Sequence, residues 1–368
     1  MENKKRVLLI AANDLGNSGV PGVIMSIVRN LSDKYIFDIV ITRENYYHRN
    51  EFLSFGGKIF LIKEREYKNK IKRIWWRLLG KGNYIKKEIS KIFKINKYNA
   101  IHSFKEGDSY LYLSQAKKYG IKMRIIHNNR RKESSNSPFI NYFLNQTIKK
   151  SIRLSTFNIS VSKECGLTFF GNKQFNVIYN CIDTKKFSYT EFTGNVDNLC
   201  FLQVGTFLPI KNQVFSLGVI ALLKLKYPNV HCYFIGKVFD ESYYKLFEAK
   251  IEEYGLKNNV SVLDSATDQK KLIGSISYSL LPSLNEGLSL TAIESQVCGL
   301  MVFASTRVPK EVDLGNITFL ELDTKNWAVE IGKYFEENKK LRKPVDSSLF
   351  SVNNFKQKID SVYNMVLI

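Results

Sequence analysis

Short apolar runs, each followed by a turn and a helix-patterned stretch, recur along the whole chain. That rhythm limits the protein to a layered α/β fold with parallel strands. In the first half the runs are VLLIAA, FDIVIT, GGKIFLI, YNAIHSF, KMRIIHNN, TFNISVS and FNVIYN; in the second they are LCFLQV, HCYFIG, NVSVLD, ISYSLLP and LMVFAS. SYTEFTGNVDN, residues 188–198, interrupts the rhythm and reads as a linker. The chain of 368 residues is long enough for two α/β domains of ordinary size. The expectation is two Rossmann-like domains facing a central cleft. Residues 1–187 form the first and 188–350 the second, and 351–368 form a closing helix that packs back toward the first.

Several function classes fall away early. No apolar run approaches the roughly 18 residues of a membrane span. The run from Val7 to Ala12 follows Lys4, Lys5 and Arg6, as in a signal peptide, but it is short and enters Asn13-Asp14 directly, so it reads as a first strand. Cys165, Cys181, Cys200, Cys232 and Cys298 show neither CxxC spacing nor a nearby histidine pair. No disulfide frame and no metal site are expected, and the chain suits a reducing, cytoplasmic compartment. Gly16, Gly19 and Gly22 are spaced three apart, unlike the G-x-G-x-x-G dinucleotide fingerprint, and Asp38 stands at the start of its strand rather than the end. No P-loop occurs. Gly19 either presents backbone N–H groups to a phosphate or simply makes a tight turn.

The formal charge of +21 lies in one half of the chain. Residues 1–180 hold 34 Lys and Arg against 13 Asp and Glu, whereas residues 181–368 hold 21 of each. One face of the first half is expected to meet something anionic. Between Lys63 and Lys97 there are thirteen basic and three acidic residues. There Ile71, Ile74, Trp75 and Leu78 fall at helical spacing, with Trp76 beside them and Lys70, Lys72, Arg73 and Arg77 flanking. A basic helix with a tryptophan-bearing face fits a membrane interface, with each basic residue worth about 1 kcal/mol near an anionic bilayer. A solvated basic face on a packed helix is the alternative. No nucleic-acid module accompanies the charge, so no nucleic-acid partner is expected.

Two strands of the first half end in histidines, His102 and His127. In an open parallel sheet such positions border the ligand crevice, which makes both candidates for substrate contact or base work, although a structural role is equally open. Arg130, Arg131 and Lys132 follow and could hold a phosphate. In the second half, LPSLNEGLSLTAIESQVCG, residues 281–299, reads as a strand end, a turn and a helix beginning near Leu288. Glu286 sits at the crossover and Glu294 eight residues on. The helix N-terminus is an anion site and Gly287 permits close approach. A carboxylate there is better suited to accepting hydrogen bonds from sugar or ribose hydroxyls. A plain turn entering an amphipathic helix through Leu290, Ile293 and Val297 fits the same residues.

In their order, SGVPGVIMSIVRNL, NEFLSFGGKIFLI, YNAIHSF, RIIHNN, FNVIYNCID, VGTFLPIKNQ, LPSLNEGLSLTAIES and STRVPKEV are similar to one family over nearly the full length. The chain resembles the retaining glycosyltransferases of GT-B architecture that carry an E-x7-E motif, in particular the bacterial enzymes of capsule and exopolysaccharide assembly. The resemblance implies a nucleotide-sugar donor, UDP-linked, in the second domain. Glu286 would contact the sugar hydroxyls, and Gly287, Leu288, Ser289 and Leu290 would border the sugar and diphosphate. Glu294 would hold the ribose. Gly205, Thr206, Lys211 and Asn212 would form the facing turn, with Lys211 on the diphosphate, assisted by Gly19. His127 would lie near the reacting carbon.

The acceptor implied is a lipid-linked glycan on an anionic membrane surface, bordered by Ile71, Arg73, Trp75, Trp76, Arg77, His102, Arg130 and Arg131. No cofactor or metal is implied, and no D-x-D pair ends a strand. The chain departs from the family pattern at Thr206, where an arginine is frequent, at Ser18-Gly19 in place of Gly-Gly, and at Cys181 in Asn180-Cys181-Ile182-Asp183, where glycine is common. A soluble acceptor, nucleotide-sugar epimerisation, or a non-catalytic basic binding module are the alternative readings.

Overall fold

The computed structural model describes residues 4–16, 19–63, 80–131, 137–338 and 342–365. The chain divides into two units, Met1–Cys181 with Val352–Ile368, and Ile182–Ser351.

The first unit is built on a seven-stranded sheet in which every pairing is parallel. Its elements are β1 (Lys5–Ile10), α1 (Gly19–Leu31), β2 (Tyr35–Ile41), α2 (Arg49–Ser54), β3 (Ile59–Leu61), α3 (Lys81–Ile95) and β4 (Ala100–Ser103), followed by α4 (Ser109–Lys118), β5 (Met123–Asn128), α5 (Pro138–Leu154), β6 (Phe157–Ser160), α6 (Lys163–Phe170) and β7 (Asn176–Val177). The strand order is β3-β2-β1-β4-β5-β6-β7. Parallel strands covered on both faces need apolar side chains on both, which is why these runs lack a polar alternation. In β1, Val7 and Leu9 join the core on the α1 side, with Ile24, Ile27 and Val28. Leu8 and Ile10 join the opposite core, with Ile89, Ile101 and Tyr112.

The second unit repeats the plan with six parallel strands in the order β10-β9-β8-β11-β12-β13. They are β8 (Cys200–Val204), α7 (Gln213–Lys224), β9 (His231–Ile235), α8 (Glu241–Glu253), β10 (Val260–Leu263), α9 (Lys270–Ile273) and β11 (Tyr278–Leu281), then α10 (Leu290–Val297), β12 (Met301–Ser305), β13 (Ile317–Leu320) and α11 (Thr324–Asn338). Phe201, Phe234, Leu280 and Phe303 pack against Leu217, Ile220, Trp327 and Ile331 on one face. Leu202, Ile235, Ile276 and Leu300 form the smaller core on the other. Residues 182–198 belong with this unit.

The last helix, α12 (Val352–Asn364), lies on the first unit, where Phe355, Ile359, Val362 and Tyr363 enter the α1-side core. Its polar edge is also tied down, since the Tyr35 hydroxyl donates to Asp360 at 2.8 Å and Lys34 pairs with the same carboxylate.

Asp38 is fully buried in β2. Its carboxylate accepts from Tyr98 Oη at 2.7 Å, the Lys58 backbone N–H at 2.9 Å and Arg6 Nη1 at 3.2 Å. A buried carboxylate with three donors is a structural clamp between β1, β2 and the segments flanking them. Asp38→Ala leaves these donors unpaired and should destabilise the chain by about 3 kcal/mol in urea unfolding, with Asp38→Asn costing less than half of that. A loss below about 1 kcal/mol for the alanine variant would refute the clamp.

Candidate functional site

In the second unit β8 and β11 are adjacent but far apart in sequence, so the chain winds away from them in opposite directions. The crevice beyond the carboxyl ends of such a strand pair is where open parallel sheets bind ligands. The turns after these two strands carry the candidate residues. After β8 the chain passes Gly205 and Thr206, makes a single 3-10 turn over Pro209–Lys211, and enters α7 through Asn212. Asn212 takes a left-handed conformation (φ 56°, ψ 40°), which an asparagine tolerates better than most residues. Its side-chain amide donates to the Pro282 carbonyl at 3.2 Å, and the Leu284 N–H donates to Ile210 O at 2.8 Å. The two turns are thus joined by hydrogen bonds before any charged group is considered.

Lys211 Nζ then meets Glu286 Oε1 at 2.6 Å, and the Ser283 hydroxyl donates to the same oxygen at 2.7 Å. The Glu286 side chain is 10% exposed and that of Lys211 27%. The stem of Lys211 runs over Gly205, within ordinary contact of where a Cβ would stand. Around this pair, Gln203 donates to the Lys211 carbonyl at 2.9 Å, and Gln213 donates to the carbonyls of Gly205 and Thr206 at 3.3 and 3.1 Å. Gly236, after β9, must lack a side chain: a Cβ there would stand 2.0 Å from Gly205 O. The carboxamide oxygens of Gln203, Gln213 and Asn285 are buried without a partner among the described residues.

The helix after β11 starts two residues later than its apolar pattern predicts. α10 begins at Leu290, because the Ser289 hydroxyl accepts from the Ala292 N–H (3.4 Å) and acts as its N-cap. Leu288 is buried beneath the turn, while Gly287 is part-exposed. Glu294 is the fifth residue of α10 and only part-exposed. Burial pushes its carboxyl up to about 7. Lys186 opposes that shift and Asp183 adds to it.

The candidates of the first unit are placed differently. Gly19 opens α1, exposed and with open space around it. His102 and His127 are fully buried at the ends of β4 and β5. His102 Nδ1 is 2.7 Å from Tyr363 Oη and its Nε2 is 3.2 Å from His127 Nδ1. With both nitrogens engaged inside the unit, His102 does not present a surface to an acceptor, which corrects that expectation. Burial lowers the pKa of His127 to about 3 and that of His102 well below its usual value, so both rings are neutral at pH 7. Arg130 and Arg131 are paired rather than free, with Glu106 (3.2 Å) and Glu164 (2.9 Å). Ile71, Arg73, Trp75, Trp76 and Arg77 lie outside the described residues, as do Ser18 and Lys132.

The sequence reading brought out Lys211, Asn212, Glu286 and Glu294 but missed Gln203, Gln213, Ser283, Gly236 and Tyr363. A polar residue in an otherwise apolar strand signals Gln203, and a serine three residues before Glu286 signals Ser283. Tyr363 carries no local signal.

Comparison with known proteins places the fold among glycosyltransferases. Residues 189–314 match the family described as "Glycosyl transferases group 1". A stretch of 168 residues is 32% identical to the "Capsular polysaccharide biosynthesis glycosyltransferase CapH" of Staphylococcus aureus, covering 44% of this chain and 47% of that protein, so the match spans about half its length. EpsF of Bacillus subtilis (strain 168) is 21% identical over 342 residues, 87% of this chain and 84% of that one. The crystal structure of Anabaena HepE in complex with UDP superimposes with a TM-score of 0.77 at 15% identity, covering 98% of this chain and all of that one. The fold is GT-B, and the matches support a glycosyltransferase.

The displaced carboxyl of Glu294 has a consequence for stability. Its folded-state pKa lies above the unfolded value of 4.5, so the folded state holds the proton more tightly. The stabilisation is complete below pH 4.5 and is lost as pH rises toward 7. Relative to Glu294→Gln, the wild-type chain should therefore lose stability between pH 4.5 and 7.5 in urea titrations. Parallel pH profiles for the two proteins would refute the assignment.

Proposed function

We propose that the chain is a glycosyltransferase that moves a sugar from a UDP-linked donor, with retention of anomeric configuration, to a membrane-bound polyprenyl-diphosphate glycan in surface polysaccharide assembly. The observation that carries this reading is the Lys211–Glu286 contact across the two turns at the β8/β11 crevice. A cation for a leaving diphosphate and a carboxylate for sugar hydroxyls meet there in a partly desolvated place, where each interaction counts for more than in water. Lys211 would stabilise the departing UDP, with the backbone of Gly287, Leu288, Ser289 and Leu290 alongside it. Glu286 would accept from the sugar hydroxyls and Glu294 from the ribose. The scheme invokes no cofactor or metal, and the leaving charge would rest on Lys211 and the backbone N–H groups at the start of α10. Gly205, Thr206 and Asn212 would complete the donor contacts within the second unit.

The polysaccharide assignment is supported by the role that CapH's name gives that protein, and the UDP assignment by the ligand of HepE. The membrane assignment is supported by the concentration of positive charge in the first half of the chain. Among the described residues no helix is long and apolar enough to cross a membrane, so attachment in this reading is peripheral, at the cytoplasmic face, through the segment containing Trp75 and Trp76.

UDP should raise the melting temperature of the wild-type chain selectively over CDP and GDP, since a ligand at a hundred times its Kd stabilises by about 2.7 kcal/mol. Lys211→Ala should lower transfer from a UDP-sugar by about a hundredfold or more while leaving the fold intact. Transfer at the wild-type rate by that variant would overturn the site. Replacing Trp75 and Trp76 together by Ser should weaken binding to phosphatidylglycerol vesicles, and unchanged binding would overturn the membrane assignment.

A further inference from the structure

The buried row Tyr363–His102–His127 contains enough information to place its protons. All three side chains are buried in the first unit. Tyr363 Oη has one partner among the described residues, His102 Nδ1 at 2.7 Å. A buried hydroxyl must spend its proton somewhere, and the neighbouring Tyr35 hydroxyl is directed instead to Asp360 and Asn364. Tyr363 therefore donates, and His102 Nδ1 accepts. A neutral imidazole with an accepting Nδ1 carries its proton on Nε2, so His102 donates across 3.2 Å to His127 Nδ1. His127 in turn must carry its proton on Nε2. The opposite arrangement leaves two orphans, the Tyr363 proton and the His127 Nε2 lone pair. The first arrangement leaves one, the His127 Nε2–H, which is buried and has no partner among the described residues. Stacking holds the rings in place: Phe104 lies 4.6 Å from the His102 ring centroid and 5.0 Å from that of His127.

We infer that Tyr363, on the closing helix, is a positioning residue that sets the tautomer of His127 through His102 and so makes His127 Nε2 a hydrogen-bond donor rather than a base. The class of ligand atom it fits is an oxygen acceptor, a hydroxyl or carbonyl of a bound sugar. That use rests on the function proposed above, whereas the proton placement does not. Burial opposes protonation of both rings, so the neutral row persists across the neutral pH range. His127 at the end of β5 is thereby coupled to a residue 236 positions later in the chain, which brings the last helix into the chemistry of the first unit.

Histidine nitrogen NMR on the full chain tests this. In the wild type, His127 and His102 should each show a pyrrole-type Nε2 and a pyridine-type Nδ1. In Tyr363→Phe, with the terminal donor gone, both rings should become tautomer mixtures while the amide spectrum stays folded. A wild-type His127 protonated on Nδ1, or a folded Tyr363→Phe with unchanged histidine nitrogens, would overturn the inference. Should the variant unfold, the wild-type spectrum alone decides. In transfer assays Tyr363→Phe should lower kcat roughly two- to tenfold with an unchanged donor KM, since only part of the population keeps the donor. Absence of transfer by the wild type would count against the proposed function and leave the nitrogen assignments standing.

Discussion

Much of the second unit's polar architecture depends on holding one lysine against one glutamate. An ammonium and a carboxylate partly withdrawn from water lose hydration that their attraction repays only when geometry and extra hydrogen bonds are right. The surroundings of Lys211 and Glu286 meet that condition from both turns. Ser283 supplies a second donor to the carboxylate. Gln203 fixes the carbonyl of Lys211, and Gln213 fixes the two carbonyls upstream. The left-handed backbone of Asn212 turns the chain into α7 while its side chain reaches across to Pro282. Gly236 lets the neighbouring turn close against Gly205. These are all ways of keeping two loops rigid at the ends of parallel strands, which is where a charged pair can be both dry and reachable.

How far this was readable in advance follows from how local each cause is. The strands were legible because burial on both faces makes them continuous apolar runs, and β1 with its alternating assignment to two cores is the plainest case. The helix after β11 was legible in kind but not in start, since the side chain of Ser289 outweighs the apolar pattern that begins at Leu288. Lys211 and Glu286 were legible as residue types at turns. Their contact was not, because it spans 75 positions and depends on β8 pairing with β11. The displaced carboxyl of Glu294 depends on its burial and on Asp183 and Lys186, which no spacing connects to it. His102 shows the opposite failure. A histidine at a strand end suggested a contact surface, but the helix that buries it arrives 250 residues later, and only the folded chain shows Tyr363 on its ring.

Buried polar groups are of two kinds, fully paired and unpaired, and the difference separates structural from chemical roles. Asp38, in the body of β2, has three donors for its carboxylate and nothing left to offer a ligand. His127 Nε2, Asn129 Oδ1, Gln203 Oε1, Gln213 Oε1 and Asn285 Oδ1 are buried without partners among the described residues. All five belong to the carboxyl ends of β5, β8 and β11 or to the turns and helix starts that follow them. Asn180 Oδ1, Ser216 Oγ, Tyr278 Oη and Arg342 Nε are exceptions to that placement. An unpaired buried polar atom destabilises a fold, so a group of them is expected where something other than stability determines the residue type. The atoms differ in sign. In the second unit three amide oxygens are open acceptors near a lysine that donates to Glu286, and in the first unit the inferred tautomer leaves an open N–H donor. Within each unit, polar atoms left unspent at the carboxyl ends of parallel strands are the physical feature that the sugar-nucleotide reading and the histidine row have in common.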